Sequence, residues 1–264
     1  MTSDAGSVLL TSDNIEGVVT LTLNRPGQFN SLSDELLDSL QHELDTLARE
    51  SSVRVILLAA NGRAYCAGHD LKQMRARPEE DYYQDLFGRC GHLMQTIMRQ
   101  PQPVIARVHG VATAAGCQLV ASCDLAVASD DARFAVSGIN LGLFCSTPSV
   151  ALARNVGRKK ALEMLLTGEF ISADQAVREG LINQAVPADQ LDQAVSTLCD
   201  AICAKSAMAI RIGKEMFYQQ LEMGTAQAYE YASGVMACNM MHEDAAEGID
   251  AFMQKRKPVW KLSE

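Results

Sequence analysis

The chain has 264 residues, of which 21% are charged and 48% hydrophobic, and its formal net charge is -9. This balance is typical of a folded globular protein, and the length is sufficient for one large core. Because nucleic acids and anionic membranes attract positive surfaces, the acidic balance argues against both as partners.

The eight cysteines are scattered and form no CxxC pair, which indicates reduced thiols rather than a disulfide framework. Cys199 and Cys203 lie one helical turn apart, and a metal pair there is the alternative to two packed thiols. The five dispersed histidines predict no metal site. No apolar run is long enough to span a membrane, and the first seven residues have no targeting composition, so we expect a cytoplasmic location.

The first elements in chain order are a hairpin and a helix. Runs of β-forming residues at 8–11 and 18–23 surround a turn with a glycine, which predicts two paired strands. Ser33 is a good helix cap, and five leucines follow it at helical spacing. This pattern predicts an amphipathic helix over about 34–49.

The middle of the chain predicts a buried parallel sheet. Apolar runs indicate strands at 53–59, 103–108 and 124–128. Residues 110–122 are rich in small side chains and are predicted to form a helix, which makes the last two strands a parallel crossover pair. A loop over 64–70 and a polar helix that ends near residue 100 complete this part.

The last third of the chain is predicted to be mainly helical. Ser172 and Gln175 have the spacing of a capping box, and Gly180 can end the helix that follows. Apolar residues at helical spacing continue through about 190–254. The sequence therefore predicts an α/β core over 1–200 and a C-terminal helical region over 201–264.

Five segments occur in the order found in the crotonase superfamily, the enoyl-CoA hydratases and isomerases, and cover nearly the whole chain. They are 23–32, 65–71, 103–124, 165–181 and 252–258. The chain resembles this superfamily, and the resemblance implies a spiral of ββα units with a C-terminal helical trimerisation region. It also implies homotrimers or hexamers, and an acyl-CoA thioester as substrate without a further cofactor.

The resemblance places an oxyanion hole at the backbone N–H groups of His69 and Ala115. The local sequence fits this role, since 67–68 allows a tight turn that presents the next amide. Residues 113–116 open a helix whose free N–H groups favour an anion. The alternative is that 110–116 only permits close packing of a helix on the sheet.

The sequence leaves alternatives for the roles of two side chains, those of His69 and Asp70. The imidazole of His69 is expected to be incidental, with contact to CoA or acid–base chemistry as alternatives. Asp70 is expected to anchor the amides of its own loop rather than to act as a base.

The two glutamates that family hydratases use fall, by position, on Gln118 and Gly138. Hydration needs one carboxylate to activate water and another to deliver a proton. Gln118 can orient a water but cannot exchange a proton near neutral pH, and Gly138 has no side chain. We therefore expect weak or altered hydratase activity. Alternative reactive groups follow at Cys145, Ser146 and Thr147, although Cys145 can also be an inert buried thiol.

Contacts to CoA are expected from local cations and from one loop. The candidate cations are Arg25, Lys72 and the basic run that begins at Lys255, for which a solvated tail is the alternative. By resemblance, the loop backbone cradles the adenine and pantetheine, and the residues expected near the ligand are Ala64, Cys66, Ala67, Gly68, Asp70 and Leu71.

The favoured function is thus that of an enzyme that processes an acyl-CoA thioester. A non-catalytic acyl-CoA-binding or regulatory protein is the main alternative, because both expected carboxylates are missing. An unrelated α/β fold with a structural role is a third interpretation, which a failure to bind CoA would favour.

Overall fold

The computed structural model describes residues 6–261, and its main element is a six-stranded sheet in the order β1-β2-β3-β4-β6-β9. Strand β1 (Leu9–Thr11) is antiparallel to β2 (Val18–Leu23), which confirms the predicted hairpin. All the other neighbours in this sheet are parallel. These strands are β3 (Val55–Ala60), β4 (Val104–Val108), β6 (Leu125–Ser129) and β9 (Gln184–Val186).

The sheet separates two apolar clusters because successive side chains of a strand point to opposite faces. Ile56 and Val104 belong to the larger cluster, which includes the buried leucines of helix α1 (Asp34–Leu47). Val55 and Ile105 belong to a smaller cluster, which helix α8 (Leu191–Cys203) covers. Burial on both faces explains the continuous apolar runs from which the sheet was predicted.

A second sheet has three strands, β5 (Val111–Thr113), β7 (Arg133–Ala135) and β8 (Ile171–Ser172). The prediction of one helix over 110–122 was therefore partly wrong, since helix α4 begins only at Ala115 and ends at Ser122. The β-branched residues of β5 pair in parallel with β7. This pairing joins residues distant in sequence, which local composition does not reveal.

The remaining helices connect and cover the strands. Ser33 caps α1 through a bond from the Leu36 N–H, as predicted, and the Ser172–Gln175 capping box is present. The other helices are α2 (Leu71–Ala76), α3 (Glu80–Arg99), α5 (Ser146–Asn155), α6 (Arg158–Thr167), α7 (Ala173–Glu179), α9 (Ala207–Gln220), α10 (Thr225–Met240) and α11 (Glu243–Met253).

The C-terminal helical region is present as predicted. Residue 200 lies within α8, so the division into two parts at this residue stays a prediction. Helices α9 and α10 contain no fully buried residue. Large apolar side chains are instead exposed, and they include Phe217, Leu221, Tyr229, Met236, Met240, Met241, Phe252 and Met253.

A buried ion pair fastens α9 to the core. The Lys214 ammonium donates to the carboxylate of Asp124 over 2.6 Å and to the carbonyl oxygens of Ile97 and Gln102 over 3.0 Å each. Tyr218 donates to the other oxygen of Asp124. Every proton of the ammonium group therefore has an acceptor, which a buried charge requires.

The eight cysteines are all free, and Cys238 is exposed. Within residues 6–261 no three or more His, Cys, Asp and Glu side chains form a group that could hold a metal ion. In the same range no helix has the length and apolar character needed to cross a membrane.

Candidate active site

Two chain turns that the sequence analysis singled out lie in direct backbone contact. The N–H of Cys66 donates to the carbonyl oxygen of Val111 over 3.1 Å, and the N–H of Thr113 donates to that of Cys66 over 3.0 Å. A Cβ atom added to Gly116 would lie 2.1 Å from the Cys66 carbonyl oxygen. The loop before α2 and the beginning of α4 are thus held together at a distance that only glycine permits.

Gly68 makes the second close approach between these turns. Its φ is +91°, and an added Cβ would lie 2.9 Å from the Cβ of Ala114 and 3.3 Å from the nitrogen of Ala115. The peptide that precedes His69 therefore lies against the first turn of α4. Both the backbone conformation and the space around it require glycine here.

The N–H of His69 points away from Leu32, with which the neighbouring residues Gly68 and Asp70 form backbone hydrogen bonds. The N–H of Leu32 donates to the Gly68 carbonyl oxygen, and the N–H of Asp70 donates to that of Leu32. Since successive N–H groups of an extended chain alternate in direction, the intervening N–H of His69 faces the opposite side. Neither this group nor the N–H of Ala115 donates to any atom within residues 6–261.

Ala114 has a strained conformation at the junction of β5 and α4. Its φ of 51° and ψ of -121° are rare for any residue with a Cβ. Its own N–H donates to the carbonyl oxygen of Ala135 over 3.0 Å, which holds the turn in place. Such a conformation costs about 1–3 kcal/mol and is common where backbone geometry serves function.

The imidazole of His69 packs edge-on against Phe87 of α3, with ring centroids 5.4 Å apart. Both ring nitrogens are buried and have no hydrogen-bond partner among the described residues. Burial lowers the pKa of His69 to about 4, although the nearby carboxylate of Asp34 opposes this shift. The side chain is therefore neutral at pH 7, which makes it a poor base but leaves it able to make a hydrogen bond.

Asp70 anchors its own loop, as predicted. Its carboxylate caps α2 by accepting from the N–H groups of Lys72 and Gln73 and also accepts from Arg25 over 2.9 Å. Burial raises the pKa of Asp70, but these hydrogen bonds outweigh it and hold the pKa below its ordinary value.

Arg25, predicted to contact CoA, is engaged within the protein. Besides Asp70 it donates to the carbonyl oxygen of Ser31 over 2.6 Å, and its side chain is largely buried. Lys72 is exposed at the first turn of α2, next to Leu71, which is half exposed. The contact of Lys72 with CoA stays a prediction, since its side chain is exposed to solvent.

Much of the loop backbone predicted to cradle the ligand is already hydrogen-bonded. The carbonyl oxygen of Ala64 accepts from the side chain of Asn30 over 2.8 Å, and the N–H of Ala67 donates to Phe29 over 3.0 Å. Both bonds stiffen the loop. Carbonyl oxygens keep a second lone pair for a ligand, so the predicted cradle stays a prediction.

The basic run near the C-terminus is folded back on α11. Arg256 binds both carboxylate oxygens of Glu247, and the indole N–H of Trp260 donates to the carbonyl oxygen of Ala204 over 2.8 Å. Lys255 is exposed. Arg256 is also exposed despite this ion pair, so a solvated basic run and a contact of Lys255 with CoA both stay predictions.

Gln118 lies one helical turn after Ala115, so the two share a face of α4. It is 4% exposed, and its side-chain oxygen is buried without a hydrogen-bond partner among the described residues. A buried amide oxygen left without a donor costs about 1–3 kcal/mol. A water or ligand donor at this position would remove that cost.

Gly138 has no room for a side chain, because Cys145 occupies the space. A Cβ added to Gly138 would lie 2.7 Å from the Cys145 sulphur and 2.7 Å from the carbonyl oxygen of Leu143. Cys145 is buried, and burial raises the pKa of its thiol. The next residue, Ser146, begins α5 and is exposed, and Thr147 is half-buried.

Three residues at this site, Ser137, Tyr83 and Phe87, and the hydroxyl contact of Thr113 were not predicted from the sequence. The hydroxyls of Thr113 and Ser137 are 2.7 Å apart and tie β5 to the segment that carries Gly138. Tyr83 and Phe87 stack on α3 beside His69. Their spacing of four residues on one helix face was a usable signal, whereas nothing local links Thr113 to Ser137.

An α/β core with a helical C-terminal region and two contacting backbone turns is the fold class of the crotonase superfamily. Residues 13–263 match the family model described as Enoyl-CoA hydratase/isomerase. The chain belongs to this family.

Three similar proteins place it more narrowly. The Xenopus laevis protein named "Enoyl-CoA hydratase domain-containing protein 3, mitochondrial" is 47% identical over 247 residues, which are 94% of this chain and 84% of that protein. A Mycobacterium smegmatis enoyl-CoA hydratase structure is 58% identical, with a TM-score of 0.95 over 96% of this chain and 98% of that one. The human domain-containing protein 3 structure is 45% identical, with a TM-score of 0.93 over 96% of this chain and 100% of that one.

The predicted cytoplasmic location is contradicted by these comparisons. Relatives from frog, rat, mouse, human and zebrafish are named mitochondrial. The prediction rested on the composition of the first seven residues, and the reduced thiols with which it agreed indicate a reducing environment without specifying the compartment.

Proposed function

We propose that this protein is an enzyme that processes an acyl-CoA thioester and stabilises an enolate with the N–H groups of His69 and Ala115. The most direct support is the short distance between the two turns. A Cβ atom added to Gly68 would lie only 3.3 Å from the backbone nitrogen of Ala115. Both N–H groups lack an acceptor within residues 6–261. Two such donors can bind the carbonyl oxygen of one thioester.

The chemical benefit lies in the charge that develops on that oxygen. Removing one donor from such a hole typically costs about 10²–10³ in rate. The donor at Ala115 is also the first of a helix, where free N–H groups and the helix dipole favour an anion. The strained conformation of Ala114 keeps this N–H in place before the ligand arrives.

The proposal does not extend to ordinary hydration. Gln118 cannot exchange a proton near neutral pH, and Gly138 has no side chain that could contact a substrate. The neutral imidazole of His69, with a pKa of about 4, is a weak base. We therefore propose a reaction that uses the enolate but does not need two carboxylates.

Binding of a conjugated thioester tests the hole. Hexadienoyl-CoA should show an absorbance shift to longer wavelength on binding, because two donors at the carbonyl polarise the conjugated system. Ala115→Pro should abolish the shift, since proline lacks the N–H. Because proline also restricts the backbone of Ala114, circular dichroism and calorimetry with butyryl-CoA must show that the variant keeps its fold and its binding site. The matched control is His69→Leu, which keeps its backbone N–H and should keep the shift. A full shift in the Ala115→Pro variant would contradict the proposal.

The absence of a side chain at Gly138 also favours a second candidate, a non-catalytic acyl-CoA-binding protein. This candidate and the enzyme both predict the absorbance shift. Turnover in a panel of enoyl-, dienoyl- and hydroxyacyl-CoA thioesters separates them. Binding across the panel without any product would support the non-catalytic protein.

We further propose that the chain assembles into a homotrimer or hexamer. Helices α9 and α10 have no buried apolar side chain, and exposed apolar side chains such as Tyr229, Met236 and Met241 lie on or next to α10. A water-exposed apolar surface of this kind marks an interaction site. Sedimentation at micromolar concentration tests the assembly, and a monomer there would refute it.

A further inference from the structure

The Cys145 thiol occupies the place where a side chain of residue 138 would begin. Its sulphur lies 2.7 Å from the position of a Cβ on Gly138, well inside a normal contact distance. Any larger residue at 138 would displace this thiol. The Cys145 sulphur therefore lies on the side of Gly138 from which a side chain would project.

Two hydrogen bonds tie the segment just before Gly138 to the turn of the proposed oxyanion hole. The N–H of Ala114 donates to Ala135, and the hydroxyls of Thr113 and Ser137 are 2.7 Å apart. The chain that carries Gly138 is thus tied to the turn that presents the N–H of Ala115. Helix α5, which follows Cys145, packs against α4.

The buried amide of Gln118 points independently to a ligand in this place. Its side-chain oxygen has no donor within the described residues, and the residue is 4% exposed. It lies on the face of α4 that begins with Ala115. A ligand at the two N–H groups would therefore lie on the side of α4 that carries the Gln118 amide, and the segment of Gly138 and Cys145 is tied to the same turn.

We infer that Cys145 adds covalently to α,β-unsaturated acyl-CoA thioesters bound at this site. This inference rests on the proposed acyl-CoA function. The sulphur bonds to the acyl β-carbon, and the electrons of the carbon–carbon double bond move to the thioester oxygen, where the two N–H groups stabilise them. The proton lost from the thiol returns to the α-carbon. The product is a saturated thioether, with no leaving group, oxidant or reductant.

The thiolate is the nucleophile, so the local charges set the rate. Burial raises the pKa of Cys145 above its ordinary value of 9.0. The Cys117 thiol of α4 lies near enough to interact with it, and burial raises the pKa of Cys117 to about 12. Both thiols are protonated at neutral pH. The rate of addition should therefore rise about tenfold for each unit by which the pH increases, until the pH reaches the pKa of Cys145.

Intact-protein mass spectrometry with crotonyl-CoA tests this inference. The wild-type chain should gain the mass of one crotonyl-CoA, and peptide mapping should place it on Cys145. Cys145→Ala and Cys145→Ser should lose this adduct, the serine variant keeping nearly the original volume. Saturating butyryl-CoA, which lacks the double bond, should slow the addition of crotonyl-CoA to Cys145 at least tenfold and leave alkylation of the exposed Cys238 by iodoacetamide unchanged.

The outcomes separate this inference from the proposed function. If butyryl-CoA binds by calorimetry but no adduct forms on Cys145 even at alkaline pH, covalent addition is refuted and the acyl-CoA site stands. Labelling of Cys145 that butyryl-CoA does not slow would also refute it, because the reaction would then occur outside the acyl site. If butyryl-CoA does not bind at all, the proposed function itself fails.

Discussion

The triple variant Gln118→Glu/Gly138→Glu/Cys145→Ala is expected to hydrate crotonyl-CoA at least about 100-fold faster than the wild-type chain, because each general acid or base contributes about 10²–10⁴. The two glutamates would restore the carboxylates that activate water and deliver the proton. The proposed hole at His69 and Ala115 would stabilise the enolate formed on addition. Loss of the enoyl thioester absorbance measures the rate.

The third substitution matters because of the contact between Gly138 and Cys145. A glutamate at position 138 would place its Cβ 2.7 Å from the sulphur, so in the double variant the new side chain must displace Cys145. Removing the sulphur leaves one close neighbour, the Leu143 carbonyl oxygen at 2.7 Å. The new side chain therefore also requires the backbone of the exposed segment 141–144 to move.

The matched control is the double variant Gln118→Glu/Gly138→Glu. It should be at least about tenfold slower than the triple variant, since general acid–base catalysis depends on placement of the carboxylate. Cys145→Ala alone should show no gain, because it adds no acid or base. A double variant as fast as the triple one would mean that Cys145 does not restrict position 138.

The elements that the sequence predicted correctly are those with local signals. The Ser33 cap and the leucines of α1 fix a helix within about fifteen residues, and the Ser172 capping box does the same for α7. The apolar runs of β3 and β4 identify strands buried on both faces. Each of these patterns lies within the element that it predicts.

The errors came from interactions between distant segments. β5 has only three residues and pairs with Cys66 and β7, so the small residues around it suggested a longer helix. Arg25 looked like a free cation, but its partner Asp70 lies 45 residues away in the sequence. The contact of Cys145 with Gly138 depends on how the intervening chain folds back, for which the sequence has no signal.

Gly116→Ala should have the largest effect on the fold of the site. The new Cβ would lie 2.1 Å from the carbonyl oxygen and 2.7 Å from the carbonyl carbon of Cys66, which are backbone atoms and cannot rotate away. The loop must then separate from α4, which disrupts the bonds of Cys66 to Val111 and Thr113. We expect a loss of about 3 kcal/mol in the free energy of unfolding, at the upper end of overpacking costs. Urea denaturation measures it.

The same substitution should abolish the absorbance shift of bound hexadienoyl-CoA, because the N–H groups of His69 and Ala115 would no longer lie close together. Gly88→Ala is the matched control, since it lies within α3 and an added Cβ meets no atom within 4 Å. Alanine there should stabilise the chain by about 0.5–1 kcal/mol and leave the shift intact, because glycine is unfavourable within a helix. A Gly116→Ala variant with wild-type stability and a full shift would show that this close backbone contact does not hold the two amides in place.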